Sequence, residues 1–137
     1  MEKIIFENNI KVFGIEVKNF PAGIGEAFEE LIKKTGDSAG AREYYGVSSM
    51  DDNGRMIYKA VAEEKFEGEA NKYSYPESII EKGEYLFTTL KDWQSKTDCI
   101  KDIFYEMIKD ERVDKTKPCV EWYKSNDEML CMMKTIN

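Results

Sequence analysis

The sequence predicts an α+β fold in which two pseudo-symmetric β-α-β-β repeats form one antiparallel sheet, with both helices on one face and a ligand groove on the other. Two observations carry this expectation. Two segments show the same five-place apolar stripe of an amphipathic helix, and each is flanked by β-rich segments in the same order. The stripes begin at Ile24 and Ile100, an offset of 76 residues.

The first repeat spans about residues 10–64. It opens on a β-rich segment, Lys11–Lys18. A helix follows from about Gly23 to Thr35. Its stripe is Ile24, Ala27, Phe28, Leu31 and Ile32, which lines one side of a 3.6-residue period. Pro21 near its start and Gly36 just past its end are the expected boundary residues. An aromatic strand, Glu43–Ser48, leads to Asp51-Asp52-Asn53-Gly54, a strong hairpin turn. A closing strand follows at Met56–Ala62.

The connector, residues 65–76, is polar and punctuated by glycine and proline. It is too short to separate independent domains, so residues 1–137 read as one domain. The second repeat, about 77–137, begins with the strand Tyr85–Leu90. Its helix runs from about Ser95 to Lys109 with the stripe Ile100, Ile103, Phe104, Met107 and Ile108. Ser95 and Asp98 suggest a variant capping box. The strand Cys119–Tyr123, a weaker turn at Ser125–Glu128 and the strand Met129–Lys134 complete it. One helix cannot cover a half-sheet alone, and two repeats side by side give a sheet with one helical layer.

Composition narrows the functions. The 137 residues are 42% hydrophobic and 34% charged, which suits a globular chain that folds without disulfides or metals. The net charge is −7 with no basic stripe, which argues against nucleic-acid binding. No apolar run is long enough for a membrane span, and the N-terminus lacks a signal-peptide pattern. Histidine is absent, which removes His-dependent nucleophilic catalysis and His-ligated zinc. Three cysteines, Cys99, Cys119 and Cys131, lie outside metal-ligand spacing and read as reduced thiols of a cytoplasmic protein. Neither a metal nor a cofactor is expected.

Strand alternation sorts the candidate site. Val120 and Trp122 form the more apolar pair of their strand and are expected under the helices. Glu121 and Tyr123 then face the bare side. The 76-residue offset maps Glu121 onto Tyr45. The groove is therefore expected to hold Glu121, Tyr123 and Tyr45, with Tyr58 joining if the hairpin register allows. Tyrosine rings attract cations and stack on planar groups, and a carboxylate supplies the countercharge. The simpler reading is a solvated glutamate among ordinary sheet-forming tyrosines. Met107, Met129, Met132 and Met133 read as core filling rather than an adaptable lining. Glu63, Glu64, Glu67 and Glu69 read as a solvated acidic connector. Asp51–Gly54 reads as a turn and not a calcium loop.

Several segments resemble the GyrI-like small-molecule-binding domain of bacterial multidrug regulators. They are Phe20-Pro21-Ala22-Gly23-Ile24, Tyr45-Gly46-Val47-Ser48, Tyr58-Lys59-Ala60, Lys82-Gly83-Glu84-Tyr85 and Pro118-Cys119-Val120-Glu121-Trp122-Tyr123. The last is similar to that family's Pro-x-x-Glu-x-Tyr signature. Tyr85-Leu86 and the large Trp122 depart from its commoner residues. The resemblance implies a paired β-α-β-β fold with Glu121 as the groove carboxylate and aromatic walls. No helix-turn-helix segment accompanies the motifs here, so a stand-alone module is expected.

Three functions follow. The first is binding of an amphipathic or planar, cationic xenobiotic. The second is a metal-independent hydrolase of strained electrophiles, such as cyclopropanoid genotoxins, with Glu121 as general base and Tyr123 or Tyr45 as donor. The third is protein interaction, in which the acidic surface meets a basic partner such as gyrase or a regulator. The chain is expected to be a monomer or a homodimer.

Overall fold

Alternating apolar residues and well-formed turns build eight strands, which the computed structural model gathers into one antiparallel sheet. The structure describes residues 1–18, 22–36 and 42–137. In chain order the elements are β1 (Glu2–Phe6), β2 (Ile10–Glu16), α1 (Ile24–Thr35), β3 (Tyr44–Met50), β4 (Met56–Glu63), α2 (Glu69–Lys72), β5 (Glu77–Ile80) and β6 (Gly83–Lys91). A 3₁₀ turn (Trp93–Ser95), α3 (Cys99–Met107), β7 (Cys119–Tyr123) and β8 (Glu128–Lys134) follow. The strand order across the sheet is β1-β6-β8-β7-β3-β4-β2-β5.

The boundary chemistry explains where elements stop. Gly36 takes a left-handed φ of 71° and its N–H closes onto the Ile32 carbonyl, ending α1. Pro21 and Phe20 lie outside the described residues. At the β3–β4 turn, Asp51 Oδ1 accepts the N–H groups of Asn53 at 2.9 Å and Arg55 at 2.8 Å. The expected capping box at Ser95 does not form. Ser95 Oγ instead donates to Asp92 at 2.6 Å, and the chain completes a 3₁₀ turn before α3 starts at Cys99. Two strands, β1 and β5, were not anticipated; they pair with β6 and β2 and form the sheet edges.

The registers divide the core into faces. Phe13 stands opposite Ala62, Tyr44 opposite both Ala62 and Tyr123, Glu121 opposite Cys131, and Leu86 opposite Met133. These residues share one face. On it, Ala27 and Leu31 of α1 cluster with Phe13, Tyr58, Ala60 and Ala62. Met107 of α3 clusters with Leu86, Met129, Cys131 and Met133. The helix stripes are less buried than their spacing suggests. Phe28, Ile103 and Phe104 are only half-buried, and Ile32 and Ile108 are 39% and 38% exposed.

The opposite face is not bare. Val12, Tyr45, Val61, Val120, Leu130 and Met132 bury against one another there, with no helix residue among them. The sheet curls to achieve this. Phe6 of β1 reaches Trp122 of β7 with ring centroids 5.9 Å apart, although two strands separate them in the sheet. Val120 and Trp122 therefore lie away from the helices, and Glu121 and Tyr123 lie on the face that carries them rather than on a bare one, the reverse of the sequence expectation. Trp122 is the larger apolar residue, but curling supplies it with strand partners instead of a helix.

Candidate functional site

β3 and β7 pair at the middle of the sheet, and this pairing builds the site. Gly46 of β3 stands directly opposite Glu121 of β7. Tyr58 of β4, on the far side of β3, reaches over Gly46 and donates its hydroxyl to Glu121 Oε1 at 2.7 Å. A Cβ at Gly46 would lie 1.9 Å from that hydroxyl and 2.7 Å from Oε1, so only glycine leaves the path open. Tyr123, two residues along β7, donates its hydroxyl to the same Oε1. The two hydroxyl oxygens are 3.0 Å apart.

Rings complete the surroundings. Tyr123 is packed edge-on by Phe28 of α1 at 5.1 Å and by Trp93 of the 3₁₀ turn at 5.0 Å. Tyr44 meets Phe28 at 6.3 Å. Trp93 is held in place by its indole N–H, which donates to the Ser125 carbonyl at 2.9 Å. Cys131 faces Glu121 from β8, and Cys119 precedes it on the same side of β7.

Glu121 is 8% exposed. Burial pushes its carboxyl above the usual carboxylate range, and the hydrogen bonds from Tyr123 and Tyr58 hold back part of that rise. Burial and the neighbouring carboxylate push the Tyr58 and Tyr123 hydroxyls well above an ordinary phenol. The Cys131 thiol is pushed up to about 12, first by burial and then by Glu121. Among the described residues no lysine or arginine pairs with Glu121, and no group of histidine, cysteine and carboxylate side chains is placed to hold a metal ion. The site thus offers a buried carboxyl group, two phenol donors and several ring faces.

Of the four residues singled out from the sequence, the structure brings together Glu121, Tyr123 and Tyr58. Tyr45 lies on the other face, packed 6.0 Å from Trp122. The reason is parity. The register pairs even positions of β3 with odd positions of β7 on one face, so an even offset of 76 carries a residue to the opposite face. Phe28, Trp93, Tyr44 and Gly46 were not recognised as site residues. A glycine inside an aromatic strand was the available signal for Gly46. Trp93 carries no comparable signal, because its position depends on the distant Ser125. A separate cavity of about 40 Å³ on the curled face, lined in part by Val47, Ile80, Tyr85 and Val120, has room for ordered water.

No protein-family model and no curated protein matches the chain. Solved structures do. An integron cassette protein from the mobile metagenome of Vibrio cholerae superposes with a TM-score of 0.69 at 14% identity, over 97% of this chain and 95% of that one. SAV2435, in a structure with tetraphenylphosphonium bound, gives 0.65 at 13% identity, over 98% and 94%. A hydrolase from Listeria innocua gives 0.56 at 11% identity, over 98% and 90%. The fold is shared with these proteins. Among the described residues no helix is long and apolar enough to cross a membrane.

Proposed function

We propose that this chain is a small-molecule-binding module whose ligand is an amphipathic or planar organic cation, with Glu121 as countercharge and Tyr58, Tyr123, Phe28 and Trp93 as walls. The observation that carries the reading is the buried Glu121 carboxylate, which accepts from two phenols on one oxygen and pairs with no cation among the described residues. A buried charge normally has an internal partner. A ligand that brings a positive centre and flat apolar groups supplies the missing charge and covers the rings. The stripe residues Phe28, Ile103 and Phe104 are half-buried on the same face of the sheet as Glu121. A fold relative with tetraphenylphosphonium bound is consistent with this ligand class.

In the same proposal the fold is a GyrI-like pair of β-α-β-β repeats. The strand order supports it: exchanging β2, β3 and β4 for β6, β7 and β8 leaves the central six strands, β6-β8-β7-β3-β4-β2, in a mirrored arrangement. The test is titration of tetraphenylphosphonium and of neutral triphenylphosphine oxide against the wild type and Glu121→Gln. The cation is expected to weaken by about ten-fold or more, the worth of a charge-assisted contact, while the neutral compound changes little. Equal losses for both would remove Glu121 as the countercharge.

A second reading is hydrolysis of a strained electrophile, with Glu121 as base and Tyr123 as donor. The fold relative described as a hydrolase favours it. Product formation that disappears in Glu121→Gln would select it over binding alone.

A further inference from the structure

We infer that the ligand-free protein holds Glu121 as the neutral acid and that an organic cation binds in exchange for its proton. This rests on the binding reading above and adds its coupling to pH. Glu121 Oε1, the Tyr58 hydroxyl and the Tyr123 hydroxyl form a triangle with hydrogen-bond contact along all three sides. Two phenols bring two protons. With Glu121 ionised, both protons point at Oε1, and the two hydroxyl oxygens face each other at 3.0 Å with nothing between them. One further proton on Oε1 gives every side of the triangle its own. Oε1–H then donates to Tyr123, Tyr123 to Tyr58, and Tyr58 to Oε1. Within the triangle each oxygen then donates once and accepts once.

The groups around the triangle point the same way. Among the described residues, the titratable side chains facing Glu121 are Tyr58 from β4, Tyr123 and Cys119 from β7, and Cys131 from β8. All are neutral in their protonated forms, and burial opposes the ionisation of each. α1 contributes the Phe28 ring and the 3₁₀ turn contributes Trp93, neither of which titrates. Nothing in this set supplies positive charge to an ionised Glu121. An entering cation does. The exchange balances as neutral acid plus cation giving a carboxylate–cation pair and one proton to solvent, with no covalent bond formed to the ligand.

Gly46 makes the triangle possible, because any side chain there would displace the Tyr58 hydroxyl. Two measurements on the full chain test the inference. The first records the Glu121 carboxyl resonance of the ligand-free protein from about pH 5 to 8. The second titrates tetraphenylphosphonium calorimetrically in two buffers of different ionisation enthalpy over the same range. The expected result is a carboxyl that is neutral at the acid end, close to one proton released per cation there, and affinity rising by about ten-fold per pH unit until Glu121 ionises. A free-protein carboxyl already ionised at the acid end overturns the exchange, whatever binds. Binding whose heat is independent of buffer and whose affinity is flat with pH also overturns it, while leaving the binding reading intact. A cation that fails to bind at every pH brings down the binding reading, and the exchange with it.

Discussion

Glu69 and Glu121 are both buried glutamates, 0% and 8% exposed, and the protein answers their charges in opposite ways. Glu69, at the start of α2, takes a two-pronged ion pair from Arg42 at 2.9 and 2.8 Å and the Lys65 N–H at 2.8 Å. Arg42 also donates to the Glu63 carbonyl at 3.0 Å, tying the end of β4 to the chain just ahead of β3. Burial raises the Glu69 carboxyl, but the Arg42 and Lys65 hydrogen bonds outweigh it and hold the group below its ordinary range. Glu121 has phenols where Glu69 has a guanidinium, and its carboxyl is held above that range. A carboxylate neutralised inside the molecule belongs to the fold. Glu121 is left with donors but no cation among the described residues, and the proposed binding function rests on that difference. Reading Glu69 as part of a solvated connector was therefore an error; its partner is 27 residues away in sequence, beyond the reach of any local pattern.

The comparison can be broken most directly at Arg42. Arg42→Met leaves Glu69 buried without its ion pair and is expected to cost about 3–5 kcal/mol in urea denaturation. A near-neutral result would mean that the Glu69 charge is not an element of the fold. Leu31→Ala, which truncates a fully buried α1 residue, is expected to cost about 2–5 kcal/mol. Phe28→Ala, half-buried on the same helix, is expected to cost less stability and to weaken cation binding instead. Gly46→Ala sharpens the contrast further. It should cost about 1–3 kcal/mol as overpacking does, and it should weaken the cation more than a neutral aromatic compound, since the Tyr58 hydroxyl must leave Glu121.

The smallest effects carry opposite signs with pH. Glu69 has a lowered carboxyl, so its stabilisation is present above the unfolded value of 4.5 and is lost as pH falls through the lower folded value. Glu121 has a raised carboxyl, so the stability it contributes is present below 4.5 and is lost as pH rises through its folded value. Denaturation midpoints of Glu69→Gln and Glu121→Gln, each measured against the wild type from acid to neutral pH, should diverge. The first variant falls further behind the wild type as pH rises. The second gains on it, and at neutral pH it is equally or slightly more stable. Parallel curves would erase the distinction between the two glutamates.

Much of the chain was readable because local rules governed it. The β7 limits, Cys119–Tyr123, follow from alternation alone, and the Asp51–Gly54 turn follows from its side-chain and glycine chemistry. Glu121 and Tyr123 were recognisable because they share a strand face. What failed depended on relations between distant strands. A one-residue error in offset sent Tyr45 to the wrong side. The curl that buries Trp122 against Phe6 depends on β1, a five-residue edge strand with no turn signal of its own beyond the polar residues after it.

The β3–β7 ladder has a kinetic consequence. Its partners, such as Tyr44 and Tyr123, are separated by more than half the chain. The β3–β4 and β7–β8 hairpins close over short loops, whereas this ladder must wait for a long and entropically slow loop closure. Glu121 and its phenols come from both sides of that ladder. During synthesis, a chain that has not yet emerged past β7 lacks the Glu121 acceptor of the Tyr58 hydroxyl. Under the proposed function, a cation bound at Glu121 would bridge the two hairpins and favour the state in which they are joined. Ligand present during refolding should therefore slow unfolding more than it speeds folding, unless the ladder is already formed in the folding transition state.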